Sequence, residues 1–257
     1  MAPVTSRALV LRTHRLGETS KVVVCYTETH GKVRLVAKGG RAAASRLAAA
    51  LEPFSVSGVV FYPKTGRGLS IVSQADVERD FAGLRRDAVR MAHGSAVLEL
   101  ADRLISEEEP DPALFRIVEA ALAEMDSADA GSLDGAFLRF AFRAAAALGY
   151  AASLGSCVLC GGPPGASALF APRHGGLACG SCVAADPEVE VVGRAATAAL
   201  ADAAAGRESA APSEAVADEA WEAMSAFLAE HTGRRVHLRS LDVLAQLRRA
   251  ERAGRAD

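Results

Sequence analysis

Four of the five cysteines stand in two pairs, Cys157-Val-Leu-Cys160 and Cys179-Gly-Ser-Cys182, with eighteen residues between the pairs. A Cys-x-x-Cys turn folds back so that both thiolates reach one ion, and two such turns close a tetrahedron at about 2.3 Å per Zn–S bond. The expected cofactor is therefore one Zn2+ ion held by Cys157, Cys160, Cys179 and Cys182. A shell of four thiolates leaves no open coordination position, so the metal is expected to be structural. Gly161-Gly162 after the first pair and Gly180 inside the second permit tight turns. Leu169–Pro172 and Gly175–Ala178 between them can pair as a small hairpin, as in a zinc ribbon. The competing chemistries are a redox dithiol, which normally occurs singly in a βαβ setting, and two disulfides, which a reducing cytoplasm disfavours. His174 is read as a surface residue, and Cys25, within a strand pattern, as a small buried hydrophobe.

No second constellation assembles. Lys38-Gly39-Gly40-Arg41 lacks both P-loop and dinucleotide-fold spacing. The six histidines are scattered, and His231 falls on the apolar stripe of a helix, where a core role is expected. Glu107-Glu108-Glu109 precedes Pro110 and reads as a solvated helix end. The chain is expected to be no enzyme.

The other residues with chemical potential are cations. The 257-residue chain has a net charge of −2, which conceals +7 over residues 1–79 and −9 over residues 80–257. All four lysines lie in the basic part. Arg12, Arg15, Lys21, Lys32, Arg34, Lys38, Arg41, Arg46, Lys64 and Arg67 fall on or beside its strands and loops and are the candidate DNA-binding residues. Aromatics there are few: Tyr26, Phe54, Phe61 and Tyr62, with Phe54 and Phe61 assigned to the core. That balance predicts backbone-dominated, salt-sensitive binding without sequence preference.

The elements that must position these groups fall into two regions. Ala8–Thr13, Ser20–Thr27, Lys32–Lys38, Phe54–Tyr62 and Leu69–Val77 read as strands separated by Gly-rich turns. Arg41–Leu51 is Ala-rich and reads as a short helix after the third strand. Five strands with that helix match the five-stranded Greek-key barrel called the OB-fold. Beyond residue 80 the period becomes helical. Leu84, Ala88, Met91, Ser95 and Leu98 form one stripe, and Phe115, Val118, Leu122 and Met125 a second, opened by Pro112. Ser132 is placed to cap a helix carrying Phe137, Phe140 and Ala144 and ended by Gly149. Ala217, Trp221, Met224, Leu228 and His231 mark another helix, and Leu241, Leu244 and Leu247 a last one. The fold class is α+β: a DNA-binding barrel over residues 1–80, then a helical domain over 81–257 with the zinc insert at about 153–186. No apolar run approaches the roughly 18 residues of a membrane span, and no secretory signal opens the chain, so a cytoplasmic location is expected.

The barrel region runs through Ala8-Leu-Val-Leu-Arg-Thr, Gly17-Glu-Thr-Ser-Lys21, Thr29-His-Gly-Lys-Val33, Val36-Ala-Lys-Gly-Gly-Arg41, Ser45-Arg46 and Leu51-Glu-Pro-Phe54. That run resembles the barrel of the bacterial RecO recombination mediators. The cysteine pairs inside a helical domain and the closing Leu238-Arg-Ser-Leu241 follow the family's order. The resemblance implies a DNA repair and recombination mediator that binds and anneals single-stranded DNA, with duplex DNA left open. It implies cooperation with RecR and single-strand-binding protein in loading RecA at gaps, and residence at the nucleoid when DNA is bound. It puts Lys38, Arg41 and Arg46 in the basic loop of the barrel, where Ala42, Ala43 and Ala44 depart from the basic or Pro residues often found. It also places the acidic, Phe-ended tail of single-strand-binding protein near Phe137, Arg139, Phe140 and Arg143. A zinc-containing adaptor whose barrel docks a protein is the alternative, and a nuclease or ligase fragment lacks its carboxylate or lysine motif.

Overall fold

The computed structural model describes residues 2–40, 46–64, 68–105, 109–208, 211–233 and 235–254, without the side chain of Arg46. Arg41, Arg67, Ala42–Ser45 and Glu107-Glu108 therefore lie outside the described residues. The chain forms two compact units, one of Met1–Ser127 with Ser240–Asp257 and one of Ala128–Arg239. They divide the chain differently from a cut at residue 80.

In the first unit, strands β1 (Val4–Leu16), β2 (Ser20–Thr27), β3 (Gly31–Ala37), β4 (Ser55–Tyr62) and β5 (Ser70–Asp80) close a barrel in the order β1-β2-β3-β5-β4. Every pairing is antiparallel except β3 with β5. Alternation sends Ala8, Val10, Val23, Cys25, Leu35, Ala37, Val59, Phe61 and Val72 inward. The short helix α1 (Arg46–Ala50) lies between β3 and β4, and Ala50 and Leu51 pack against that core. This is the OB-like barrel the strand pattern predicts. Phe54 does not open β4 as expected. Its φ of 69° puts a bulky residue in the left-handed region, ending the turn before Ser55.

Helices α2 (Ala88–Leu104), α3 (Pro112–Ser127) and α8 (Arg239–Gly254) belong to the same unit. Asp111 accepts from the amides of Ala113 and Leu114, and Pro112 follows it as first helical residue. Phe115, Val118, Leu122 and Met125 are all buried, as their spacing predicts. The stripe expected on α2 is corrected. Leu84 and Leu98 are buried as their spacing predicts, but Ala88 and Met91 face solvent, and the buried side of α2 is broader, taking in Arg90, Ala92, His93, Ala96, Val97, Leu100 and Ala101. Alanines carry too little contrast for their spacing to mark a buried face.

The second unit holds α4 (Leu133–Ala147), a two-stranded ribbon of β6 (Leu169–Ala171) and β7 (Gly176–Ala178), and helices α5 (Gly180–Ala185), α6 (Arg194–Ala204) and α7 (Glu214–Thr232). Ser132 precedes α4, but its hydroxyl donates to the Asp129 carbonyl at 2.8 Å and caps no amide of the helix. Phe142, Phe170 and Phe227 meet in the core of this unit. His231 packs on Phe227 at 4.4 Å between ring centroids and bonds the Phe227 carbonyl through Nδ1, so it is a packed residue of α7 as its stripe suggests.

Candidate metal centre and nucleic-acid interface

The ribbon brings the two cysteine pairs together. The Gly161 amide donates to the Cys157 carbonyl at 2.9 Å and the Cys157 amide to the Gly162 carbonyl at 2.7 Å, which folds the first pair into a knuckle. Gly161 has φ 74°, the left-handed value that the turn requires. Gly180 serves another purpose than the expected one. It begins α5, and a Cβ there would collide with the Ser167 hydroxyl, so close approach and not the turn demands glycine. The strand pairing of Phe170 with Leu177 and the bond from the Val158 amide to the Leu177 carbonyl hold the first knuckle beside the second. Ala171, Ala178 and Val189, with Val158 and Val183 against them, form a small apolar floor.

All four sulfurs lie within 4.8 Å of one another, and Cys160 Sγ is 3.9 Å from Cys179 Sγ. A tetrahedron with Zn–S bonds of about 2.3 Å has edges of roughly 3.8 Å, so the donor set fits such an ion. The four cysteines are free thiols that share one cluster. Backbone amides donated by Cys179, Cys160 and Leu159 pull the Cys157 thiol down to about 6, whereas hydrogen bonding to neighbouring Cys179 and Cys160 pushes Cys182 up to about 12. Crowded thiols resist ionising together; a divalent cation removes that conflict. His174 is exposed and outside the cluster. Among the described residues this is the only group of three or more His, Cys, Asp or Glu positioned to hold a metal. Four thiolates suit a metal that stiffens the ribbon.

The cations of the barrel divide by what covers them. Lys21 is buried, its ammonium donating to the carbonyls of Leu51 at 2.8 Å and Ala48 at 3.3 Å and pairing with Glu52 at 2.6 Å. It ties α1 to the barrel. Lys32 is spent on α2, its Nζ lying 2.6 Å from the Asp102 carbonyl and 3.0 Å from Asp102 Oδ1. Arg12 Nε pairs with the other oxygen of the same carboxylate at 2.7 Å. Burial pushes Asp102 up, but the bonds from Lys32 and Arg12 prevail and hold it below the usual carboxylate range. Arg15, Lys38 and Lys64 are exposed and Arg34 is half-buried.

Cross-strand register orders the outer wall. His14 pairs with Val22, Val22 with Val36, Val36 with Ile71 and Ile71 with Tyr62, so five strands contribute one row on the outside. Tyr62 and Ile71 are each 44% exposed. Arg12, Val24 and Arg34 form the neighbouring row toward Asp102. Lys38 stands just past β3 and Lys64 just past β4. The helices instead cover the wall near Tyr26, whose hydroxyl donates to the Asp111 carbonyl and whose ring lies 5.8 Å from that of Phe115. Sequence reasoning singled out the cations but not the apolar row, because residues brought together by register are far apart in the chain. Phe61 is core, as assigned.

Two family descriptions match this chain, Recombination protein O N terminal over residues 1–81 and Recombination protein O C terminal over residues 85–242. The chain belongs to the RecO family. It is 35% identical over 237 residues to the DNA repair protein RecO of Anaeromyxobacter sp. (strain K), covering 90% of this chain and 92% of that protein. Identity to the DNA repair protein RecO of Myxococcus xanthus is 33% over 240 residues, covering 93% and 96%. With the Nocardioides sp. protein of the same name it is 39% over 182 residues, covering 68% and 72%. Membership places the chain in DNA repair and recombination. Within this RecO chain, the residues expected near a partner's acidic tail are mostly interior to the second unit. Phe137, Phe140 and Arg139 are buried, Phe137 packs on Trp221 at 5.0 Å, and Arg139 reaches the Arg207 carbonyl at 3.4 Å. Only Arg143 of the four is exposed. Among the described residues no helix is long and apolar enough to cross a membrane.

Proposed function

We propose that this RecO-family chain is a non-catalytic mediator of recombinational repair that binds single-stranded DNA on its barrel. The observation that carries the reading is the outer wall, where the exposed Lys38 and Lys64 stand just past β3 and β4 beside a cross-strand row, His14 to Tyr62, that contains no Asp or Glu. Annealing then follows from charge neutralisation: cations on the wall lower the repulsion between strands, and no covalent bond changes. Cooperation with RecR and single-strand-binding protein to load RecA follows the family's role, and Arg143 is the member of the expected tail site that faces solvent. The metal is Zn2+, held by Cys157, Cys160, Cys179 and Cys182, and its role is to fold the ribbon.

The test is fluorescence anisotropy of a labelled single-stranded oligonucleotide across a salt series. Steep salt dependence is expected, and changing Lys38 and Lys64 together to Ala should reduce the log–log slope by about 1.4, at roughly 0.7 per phosphate contact. A folded, metal-loaded sample that binds no strand at low salt would sink this reading and leave the protein-docking adaptor in its place.

A further inference from the structure

We propose that Cys160 is a site of oxidative modification, whose sulfur reacts with a hydroperoxide and is resolved by Cys179, forming a disulfide across the two knuckles that releases the metal. The inference rests on the metal-site reading above and is independent of DNA binding.

The four sulfurs are unequally covered. Cys157 is buried, and its Sγ accepts the Cys179 amide at 3.2 Å together with the amides of Cys160 and Leu159. Such bonds stabilise a sulfur's charge and so weaken its attack. Cys179 and Cys182 are half-buried, and of the four Cys160 alone is exposed. Exposure and thiolate character decide which cysteine an oxidant reaches first. Gly162 helps to keep Cys160 open. A Cβ there would stand 3.6 Å from Cys160 Sγ and, apart from its chain neighbours, within 4 Å of nothing else. The missing side chain leaves that side of the sulfur uncovered.

A divalent ion in the cluster keeps its sulfurs as thiolates, the form that attacks peroxides. The Cys160 thiolate attacks one oxygen of hydrogen peroxide; an S–O bond forms, the O–O bond breaks and hydroxide leaves. The Cys179 thiolate, 3.9 Å from Cys160 Sγ, then displaces the second hydroxide and closes the S–S bond. Two thiolates have lost two electrons, and the peroxide has become two hydroxides that take up protons as water. Cys179 is the partner free to move. It precedes α5 in extended backbone, whereas Cys182 lies within that helix and Cys157 is held by amides. Loss of two donors from four releases the ion, and the three-residue strands β6 and β7 lose what folds them. A dithiol reductant reverses the step, returning both electrons and becoming a disulfide itself.

The experiment treats the zinc-loaded full chain with hydrogen peroxide, follows zinc with a chromogenic chelator, and maps disulfides by mass spectrometry. One zinc ion is expected to leave per Cys160–Cys179 disulfide formed, with the buried Cys25 still a free thiol. Dithiothreitol with added zinc should restore the starting state. Gly162→Val, which covers the sulfur while keeping all four ligands, should slow release by roughly threefold or more at unchanged zinc affinity. Gly155→Val, where a Cβ meets nothing within 4 Å, should match wild type. No release with peroxide, a first disulfide without Cys160, or wild-type release from Gly162→Val overturns the proposal. A disulfide from Cys160 to another cysteine overturns the part given to Cys179. A folded chain that takes up no zinc overturns the metal-site reading itself, and this inference with it.

Discussion

Lys32 and Lys38 illustrate what alternation cannot tell. Both occur in the β3 region of the basic segment, yet Lys32 is bound to Asp102 of α2 while Lys38 is exposed. The difference depends on a helix about seventy residues away, so no local pattern contains it. Removing Lys32 leaves a largely buried carboxylate with Arg12 alone. Lys32→Ala is therefore expected to cost roughly 1–3 kcal/mol of stability, the usual penalty for stranding a buried polar partner. The pH dependence follows from the lowered Asp102. A carboxyl depressed in the folded state contributes stability above its unfolded value near 3.8, and that contribution is lost as pH falls through the folded value. Without Lys32, the upward push of burial is less opposed, so the acid limb moves to higher pH. Urea unfolding of both proteins between pH 3 and 7 checks this, and coincident curves would show that the pair contributes nothing.

Among the elements, those with strong periodicity or defined chemistry were legible. The five strands, the helix after the third, Pro112 at the start of α3 and the two-stranded ribbon all follow from alternation, turn residues and cysteine spacing. The buried side of α2 was not, since alanine and glycine occupy several of its packed positions. Nor was the assignment of α8 to the barrel's unit, which depends on contacts such as Ser240 donating to Glu99. The ribbon is the element most dependent on one site: β6 and β7 are three residues each, too short for stability alone. One metal ion per chain is expected by elemental analysis. Cys182→Ser should lower metal affinity at least tenfold in a chelator competition and lower the thermal midpoint. Each coordinating sulfur must give up its proton to the solvent, so metal binding should weaken steadily as pH falls. Unchanged metal content in Cys182→Ser would remove that sulfur from the shell.

Across the whole chain, the charge division constrains how much nucleic acid can be engaged. Residues 1–79 carry +7 and the rest −9, so most of the sequence beyond the barrel repels a polyanion. Attraction concentrated on one barrel wall predicts a short footprint, because a single OB fold spans about 4–16 nucleotides. Affinity for oligonucleotides of increasing length should therefore rise through that range and then gain only the small statistical benefit of overlapping sites. The exposed Arg249 on α8 is a further cation in the barrel's own unit. A length series of single strands at fixed salt tests whether the strand reaches it. A plateau by about 16 nucleotides confines binding to the barrel wall, whereas a continued steep rise, abolished by Arg249→Ala, would extend the path of the strand onto α8.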